Sequence, residues 1–328
     1  MKMRRREFIS GLGSAVALPL AARAQQPKVP VVGFLSSGSA VAETPPSAFR
    51  QALNERGYFE GRNVVFEFRW AEDQYDRLPG LARDQVQRRV DVIVTLGNVN
   101  TALAVKAATS TIPIVFAMGS DPVEFGVVSN LARPGGNVTG VTVLNRELMA
   151  KRLEILRELL PNETVVGLLV NPSNLNTDPV VRELREVSQS KGSALHVVAV
   201  STKSNLDTAI ANLVQGGAGS FMYALDSLFA SSLDQLTALA SHYRIPAIYH
   251  QRAAVEKGGL MSYGSGRLAA ESPLVGQYTA RILKGEKPGD LPVQRATTVD
   301  FVINLKTAKA LGLTIPLTLY VRADELVE

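Results

Sequence analysis

The chain has no cysteine and only three histidines in 328 residues. Without cysteine there is no disulfide, no thiol nucleophile, no cysteine-ligated zinc and no iron–sulfur cluster. A bacterial lipid anchor, which needs cysteine at the cleavage site, is excluded too. His196, His242 and His250 lack metal-type spacing. There is no Gly-x-Ser-x-Gly elbow and no phosphate loop ending in Gly-Lys-Ser/Thr. No apolar run reaches the ~20 residues of a membrane-spanning helix. What remains is ordinary globular composition, with 46% hydrophobic and 20% charged residues. That rules out disordered and collagenous chains, and the length suggests two lobes.

The formal net charge of +5 is concentrated at one end. Residues 1–24 hold Lys2, Arg4, Arg5, Arg6 and Arg23 against Glu7 alone, a local +4 that leaves +1 for the rest. The remainder therefore has no electrostatic case for nucleic acid. The same 24 residues form a basic stretch, an apolar stretch from Phe8 to Ala22 and a small-residue site, Ala22-Arg23-Ala24. This is the pattern of an export signal peptide cleaved after Ala24. Arg5-Arg6-Glu7-Phe8-Ile9 is twin-arginine-like. Arg4 stands where Ser is usual in that motif, so the general secretory route stays open. The expected location is the periplasm, as a soluble protein without a membrane anchor.

Beyond the leader, short apolar runs alternate with helical stripes. Val31–Ser36, Val92–Leu96, Ile112–Met118, Val165–Val170 and Phe221–Leu225 read as buried strands. Val64, Phe66, Phe68 and Trp70 alternate with polar positions, as in a half-buried strand. Phe49, Ala52 and Leu53, then Leu78, Leu81 and Ala82, lie at helical spacing. A helix is also expected from Pro122 to Ala132. Continuous apolar strands alternating with helices indicate parallel sheets covered on both faces. The pattern restarts near Thr142–Glu147, so the expected fold is α/β with two doubly wound parallel-sheet lobes.

Ligands of such sheets bind at the carboxyl ends of strands. Those ends carry Ser36, Ser37, Asn98, Asn100, Ser120, Asp121, Asn171, Asn174 and Asp226. Helix N-termini follow most of them and favour an anion such as a carboxylate. A buried aspartate can pair with an ammonium group. The combination suits a zwitterion. Ser, Asn and Asp also cap helices, and Asp121 before Pro122 fits that role better than ligand contact. Tyr249 and Tyr263 end apolar strands, where they either wall a pocket or pack.

Several segments together resemble a known family. They include Gly57-Tyr58-Phe59-Glu60-Gly61-Arg62-Asn63-Val64 and Leu131-Ala132-Arg133-Pro134-Gly135-Gly136-Asn137-Val138-Thr139-Gly140. Gly258-Gly259-Leu260-Met261-Ser262-Tyr263-Gly264 and Asn304-Leu305-Lys306-Thr307-Ala308-Lys309-Ala310-Leu311-Gly312 extend the likeness over nearly the whole chain after the leader. The sequence resembles the substrate-binding proteins of ABC transporters with the type I periplasmic-binding fold, in the branch with tryptophan- and phenylalanine-binding members. The resemblance implies a three-segment hinge, with lobe 1 at 28–143 plus 257–297 and lobe 2 at 144–256 plus 298–328. It implies an ABC permease as partner, a monomer, no cofactor, and a small polar ligand, an amino acid or related compound, held between the lobes. Asn98-Val99-Asn100 departs from the Thr or Ser of many relatives.

Three functions follow as expectations. The first is an extracytoplasmic solute receptor feeding an ABC permease. The second is a ligand sensor feeding a signalling receptor. The third is a periplasmic enzyme pairing His250 with Asp226, which the missing motifs disfavour. The leader gives a direct check. N-terminal sequencing of the exported protein is expected to start at Gln25, and a start at Met1 would remove the signal-peptide assignment.

Overall fold

The computed structural model describes residues 28–40, 45–143, 145–264, 273–296 and 299–328. The expected leader at 1–24 and the expected boundaries at 144 and 297–298 lie outside the described residues.

In chain order the first part comprises β1 (Val31–Ser36), α1 (Ser47–Asn54), β2 (Val65–Trp70), α2 (Leu78–Gln87), β3 (Val92–Gly97), α3 (Val99–Ala108), β4 (Ile114–Met118) and β5 (Val138–Thr142). The second comprises α4 (Asn145–Leu159), β6 (Val165–Val170), α5 (Thr177–Ser190), β7 (Ala194–Ala199), α6 (Leu206–Gln215), β8 (Ser220–Tyr223), α7 (Ser227–Ala230), α8 (Leu233–His242), β9 (Ile248–Tyr249), α9 (Arg252–Glu256) and β10 (Met261–Gly264). The chain ends with α10 (Pro273–Leu283), β11 (Gln294–Arg295), β12 (Asp300–Asn304), α11 (Leu305–Ala310), α12 (Leu317–Arg322) and β13 (Glu325–Val327).

The first lobe is one six-stranded sheet in the order β11-β5-β4-β3-β1-β2, parallel at every pairing. The second lobe holds a parallel sheet, β7-β6-β8, and a four-stranded sheet, β9-β10-β12-β13. A parallel bridge between Phe221 and Ala247 joins them. The side-chain alternation of a strand explains the two-sided burial. In β3, Val92, Val94 and Leu96 enter one apolar cluster while Ile93 enters another. In β6, Val166, Leu168 and Val170 face one cluster and Leu169 the other. Strands that bury both faces need apolar residues at every position, which is why they read as continuous runs.

Three expectations need correction. Segment 257–264 belongs to the second lobe, because β10 pairs with β9 and β12. The chain returns to the first lobe only with α10, which packs on α1. The second lobe is also not wholly parallel: β10 and β12 run antiparallel, with Met261 opposite Ile303. The excursion through α10 and β11 lies between them, so β12 is not fed by a right-handed helical crossover. Finally, no helix runs from Pro122 to Ala132. One turn forms, with the Val127 amide bonded to the Pro122 carbonyl at 2.8 Å, and Gly126 ends it at φ 66°. That left-handed conformation suits glycine and stops helix propagation.

The packing of α10 on α1 depends on a glycine. A Cβ at Gly276 would lie 2.6 Å from the Phe49 carbonyl oxygen and 2.9 Å from the Ala52 Cβ. In an exposed helix, Gly→Ala stabilises by ~1 kcal/mol. Here the close approach reverses the sign. Gly276→Ala is expected to destabilise by about 1–3 kcal/mol in urea denaturation, and a gain in stability would show that α10 shifts freely.

Candidate ligand-binding site

The loops at the carboxyl ends of β2, β3, β6 and β8 face one another where the lobes meet, and their residues bond across that seam. Asp226 follows β8 and caps α7, its Oδ1 accepting the Leu228 amide at 3.0 Å. The same Oδ1 accepts Asn171 Nδ2 at 3.1 Å. Its Oδ2 accepts Asn174 Nδ2 at 2.8 Å and the Tyr75 hydroxyl at 2.5 Å. Asn171 and Asn174 come from the loop after β6, while Tyr75 reaches in from the other lobe. The Tyr75 oxygen in turn accepts Asn98 Nδ2 at 2.5 Å. Asn98 is itself the N-cap of α3. A chain of side-chain hydrogen bonds therefore runs Asn98, Tyr75, Asp226, Asn171 and Asn174, from one lobe into the other.

Asn100 makes a second crossing. Its Nδ2 donates to the Ser173 carbonyl at 2.9 Å and its Oδ1 accepts the Leu175 amide at 3.1 Å. A third crossing runs from Ser231 Oγ to Asp73 Oδ2 at 3.2 Å, with Lys203 Nζ 3.7 Å from the same oxygen. The Ser37 hydroxyl and Asp73 Oδ1 are buried and without hydrogen-bond partners.

Asp226 is 2% exposed, and burial is the largest influence on its pKa. Loss of solvation raises that pKa, and the four hydrogen bonds oppose the rise without cancelling it. All four donors are uncharged. Tyr75 is pushed up as well, by burial first and then by the Asp226 charge and hydrogen bond, so its phenol keeps the proton it donates.

The remaining expected site residues divide. Ser36 Oγ accepts the Gly38 amide at 3.2 Å at the end of β1, and Ser37 packs against Gly97. Ser120 is buried, and its carbonyl accepts the Thr142 hydroxyl at 2.7 Å. Asp121 is a turn cap, accepting the Val123 amide at 2.8 Å, and makes no bond to the cross-lobe chain. Tyr249 and Tyr263, expected either to wall a pocket or to pack, both make packing contacts. Tyr249 is fully buried in the core of the second lobe, its ring 6.0 Å from that of Tyr223. Tyr263 packs edge-on against Phe301 at 5.9 Å. Their strands are the short β9 and its neighbour β10, where alternation turns both rings toward apolar clusters.

Tyr75 is the residue that sequence reading missed. It lies just after β2, at the same carboxyl edge as the other site loops, directly after the polar run Glu72-Asp73-Gln74. An aromatic in a polar loop at a strand end was the available signal. The loop is strained: Glu72 and Asp73 are both non-glycine residues at positive φ, 55° and 60°. Such strain gathers at functional sites.

His250 and Asp226 share no hydrogen bond, so an acid–base pair of these two lacks the contact it needs. His250 is buried against the Tyr223 ring at 5.0 Å, near Arg152. Arg152 Nε donates to the Tyr263 carbonyl at 2.6 Å, and burial lowers that guanidinium to about 10. Among the described residues no group of three or more His, Asp or Glu is placed to hold a metal.

The comparisons with known proteins agree in kind. The family model described as ABC transporter substrate binding protein matches residues 28–327. A tyrosine-binding protein of Clostridioides difficile (strain R20291) is 29% identical over 289 residues, covering 84% of this chain and 80% of its own. A conserved domain protein of Vibrio cholerae superposes with a TM-score of 0.81 at 29% identity, over 91% of this chain and 100% of its own. An ABC domain from Streptococcus pneumonia in complex with L-Trp gives 0.77 at 24% identity, over 91% and 99%.

The buried histidine makes a stability prediction. Burial first, then the Arg152 charge, holds His250 well below its usual pKa of 6.5. The folded protein then binds fewer protons than the unfolded chain below that value, so stability falls as pH drops from ~6.5 toward the folded pKa. Thermal melts of His250→Gln between pH 7 and 5 are expected to show a shallower loss than wild type. Parallel curves would mean that His250 is not buried neutral.

Proposed function

The chain belongs to the ABC transporter substrate binding protein family, and from that premise we propose that it captures an amino acid, aromatic by preference, between its lobes and delivers it to an ABC permease after export to the periplasm. The observation that carries the amino acid is Asp226. A buried carboxylate normally has a cationic partner. This one is held by four uncharged donors, in a cleft where two lobes meet. A ligand ammonium supplies the missing countercharge. The N-terminus of α3 sits at the same cleft for the ligand carboxylate. The aromatic preference draws on the relatives, one named a tyrosine-binding protein and one in complex with L-Trp. Binding without chemistry accords with the family of solute-binding proteins.

Isothermal titration of residues 25–328 with L-tyrosine, L-tryptophan and L-phenylalanine tests this reading. At least one is expected to bind and to be recovered unchanged in mass. Asp226→Ala is expected to fold and to lose roughly a hundredfold or more in affinity, the scale for truncating a buried charged partner. Because the Asp226 pKa is raised, affinity is also expected to decline with falling pH earlier than an ordinary aspartate, near 3.9, would dictate. Unchanged affinity in Asp226→Ala would move the ligand elsewhere.

A further inference from the structure

We propose that Tyr75 is a built-in stand-in for the ligand ammonium, holding the lobes together through Asp226 and yielding that position only to a ligand that brings a positive charge.

A carboxylate offers about four acceptor positions. All of those on Asp226 are taken, two on each oxygen. An ammonium can bond there only by replacing a donor. Leu228 N is backbone in the first turn of α7 and cannot leave without unwinding it. Asn171 and Asn174 belong to the same lobe as Asp226, and each is fixed by a second bond, Asn171 Oδ1 to the Ser173 amide and Asn174 Oδ1 to the Asn176 amide. Tyr75 alone among the four comes from the opposite lobe, so lobe opening or a turn of its ring withdraws it.

The exchange is also selective. The phenol is neutral and leaves the buried charge without a counterion. An ammonium makes a charge-assisted bond and neutralises it. A neutral or purely anionic ligand has no such advantage over Tyr75. The loop is built for the role: the consecutive left-handed residues Glu72 and Asp73 turn the chain so that Tyr75 and Asp73 both reach the second lobe. The Glu72 and Asp73 amides are anchored to the carbonyls of Gly38 and Ser37, at 3.2 and 2.8 Å. The loop therefore moves with the first lobe.

This inference rests on the reading of Asp226 as the ammonium site, and its test separates the two. Tyr75→Phe keeps the ring and removes the hydroxyl. Small-angle scattering on protein refolded free of ligand reads the lobes alone, and the variant is expected to have a larger radius of gyration than wild type. Titration reads the competition. L-Tyrosine is expected to bind Tyr75→Phe roughly tenfold more tightly, since a hydrogen bond to a charged group no longer has to be broken. Its des-amino analogue, 3-(4-hydroxyphenyl)propionate, carries no ammonium and is expected to gain nothing. An unchanged radius of gyration, or a hydroxyl loss that leaves L-tyrosine binding equal or weaker, would overturn the proposal. If neither protein binds any amino acid, the ammonium reading falls, and the scattering result alone decides whether Tyr75 holds the lobes.

Discussion

The arrangement of the cleft turns on one buried charge. Asp226 sits where two lobes meet, and desolvation opposes its ionised form. A lone carboxylate in such a place would protonate or draw in water. It is held instead by donors drawn from three loops: the start of α7, the Asn171-Pro172-Ser173-Asn174 turn, and the loop after β2. Each donor fixes its own loop. Asn171 and Asn174 order the approach to α5 through further bonds to the Ser173 and Asn176 amides. Tyr75 binds back to Asn98, and so to the cap of α3. The geometry of both rims thus follows from satisfying one carboxylate.

The sheets make this convergence possible. Parallel strands put all their carboxyl ends on one edge, and each lobe presents that edge to the other. Residues distant in sequence, such as Tyr75 and Asp226, then meet at hydrogen-bonding distance without any long excursion of the chain. The antiparallel β10 and β12 do not disturb the edge, because they lie beyond β9, away from the β6–β8 loops.

The two-lobe α/β architecture was legible because strands buried on both faces leave continuous apolar runs, and because the Asn and Asp residues at their ends stand out against them. Asn98, Asn100, Asn171, Asn174 and Asp226 were visible for that reason. Tyr75 was not, since β2 is an edge strand whose alternation marked the strand but not the loop after it. The roles of Tyr249 and Tyr263 stayed open between pocket wall and packing because a strand end alone does not say which face a side chain takes. In two- and four-residue strands a shift of one residue reverses that face. The boundary at 257 was misplaced for a related reason. Membership of β10 in a lobe is decided by its pairing with β9 and β12, a contact with no local signature.

The character of the cleft also sets how it moves. Among the described residues, none of the four apolar clusters spans it, apart from Leu148 at the start of α4, which packs against the first lobe beside the crossing point. What joins the lobes is polar: Tyr75 to Asp226, Asn100 to Ser173 and Leu175, and Ser231 to Asp73. Hydrogen bonds of this kind exchange with water at a net ~0.5–1.5 kcal/mol each, more where a charge takes part. A hydrophobic interface of similar extent would hold the lobes shut, since opening it would expose apolar area with no compensation. A few polar bonds leave the open and joined states within a few kcal/mol of each other. In that range, a ligand that contacts both rims can decide the balance by its differential affinity alone.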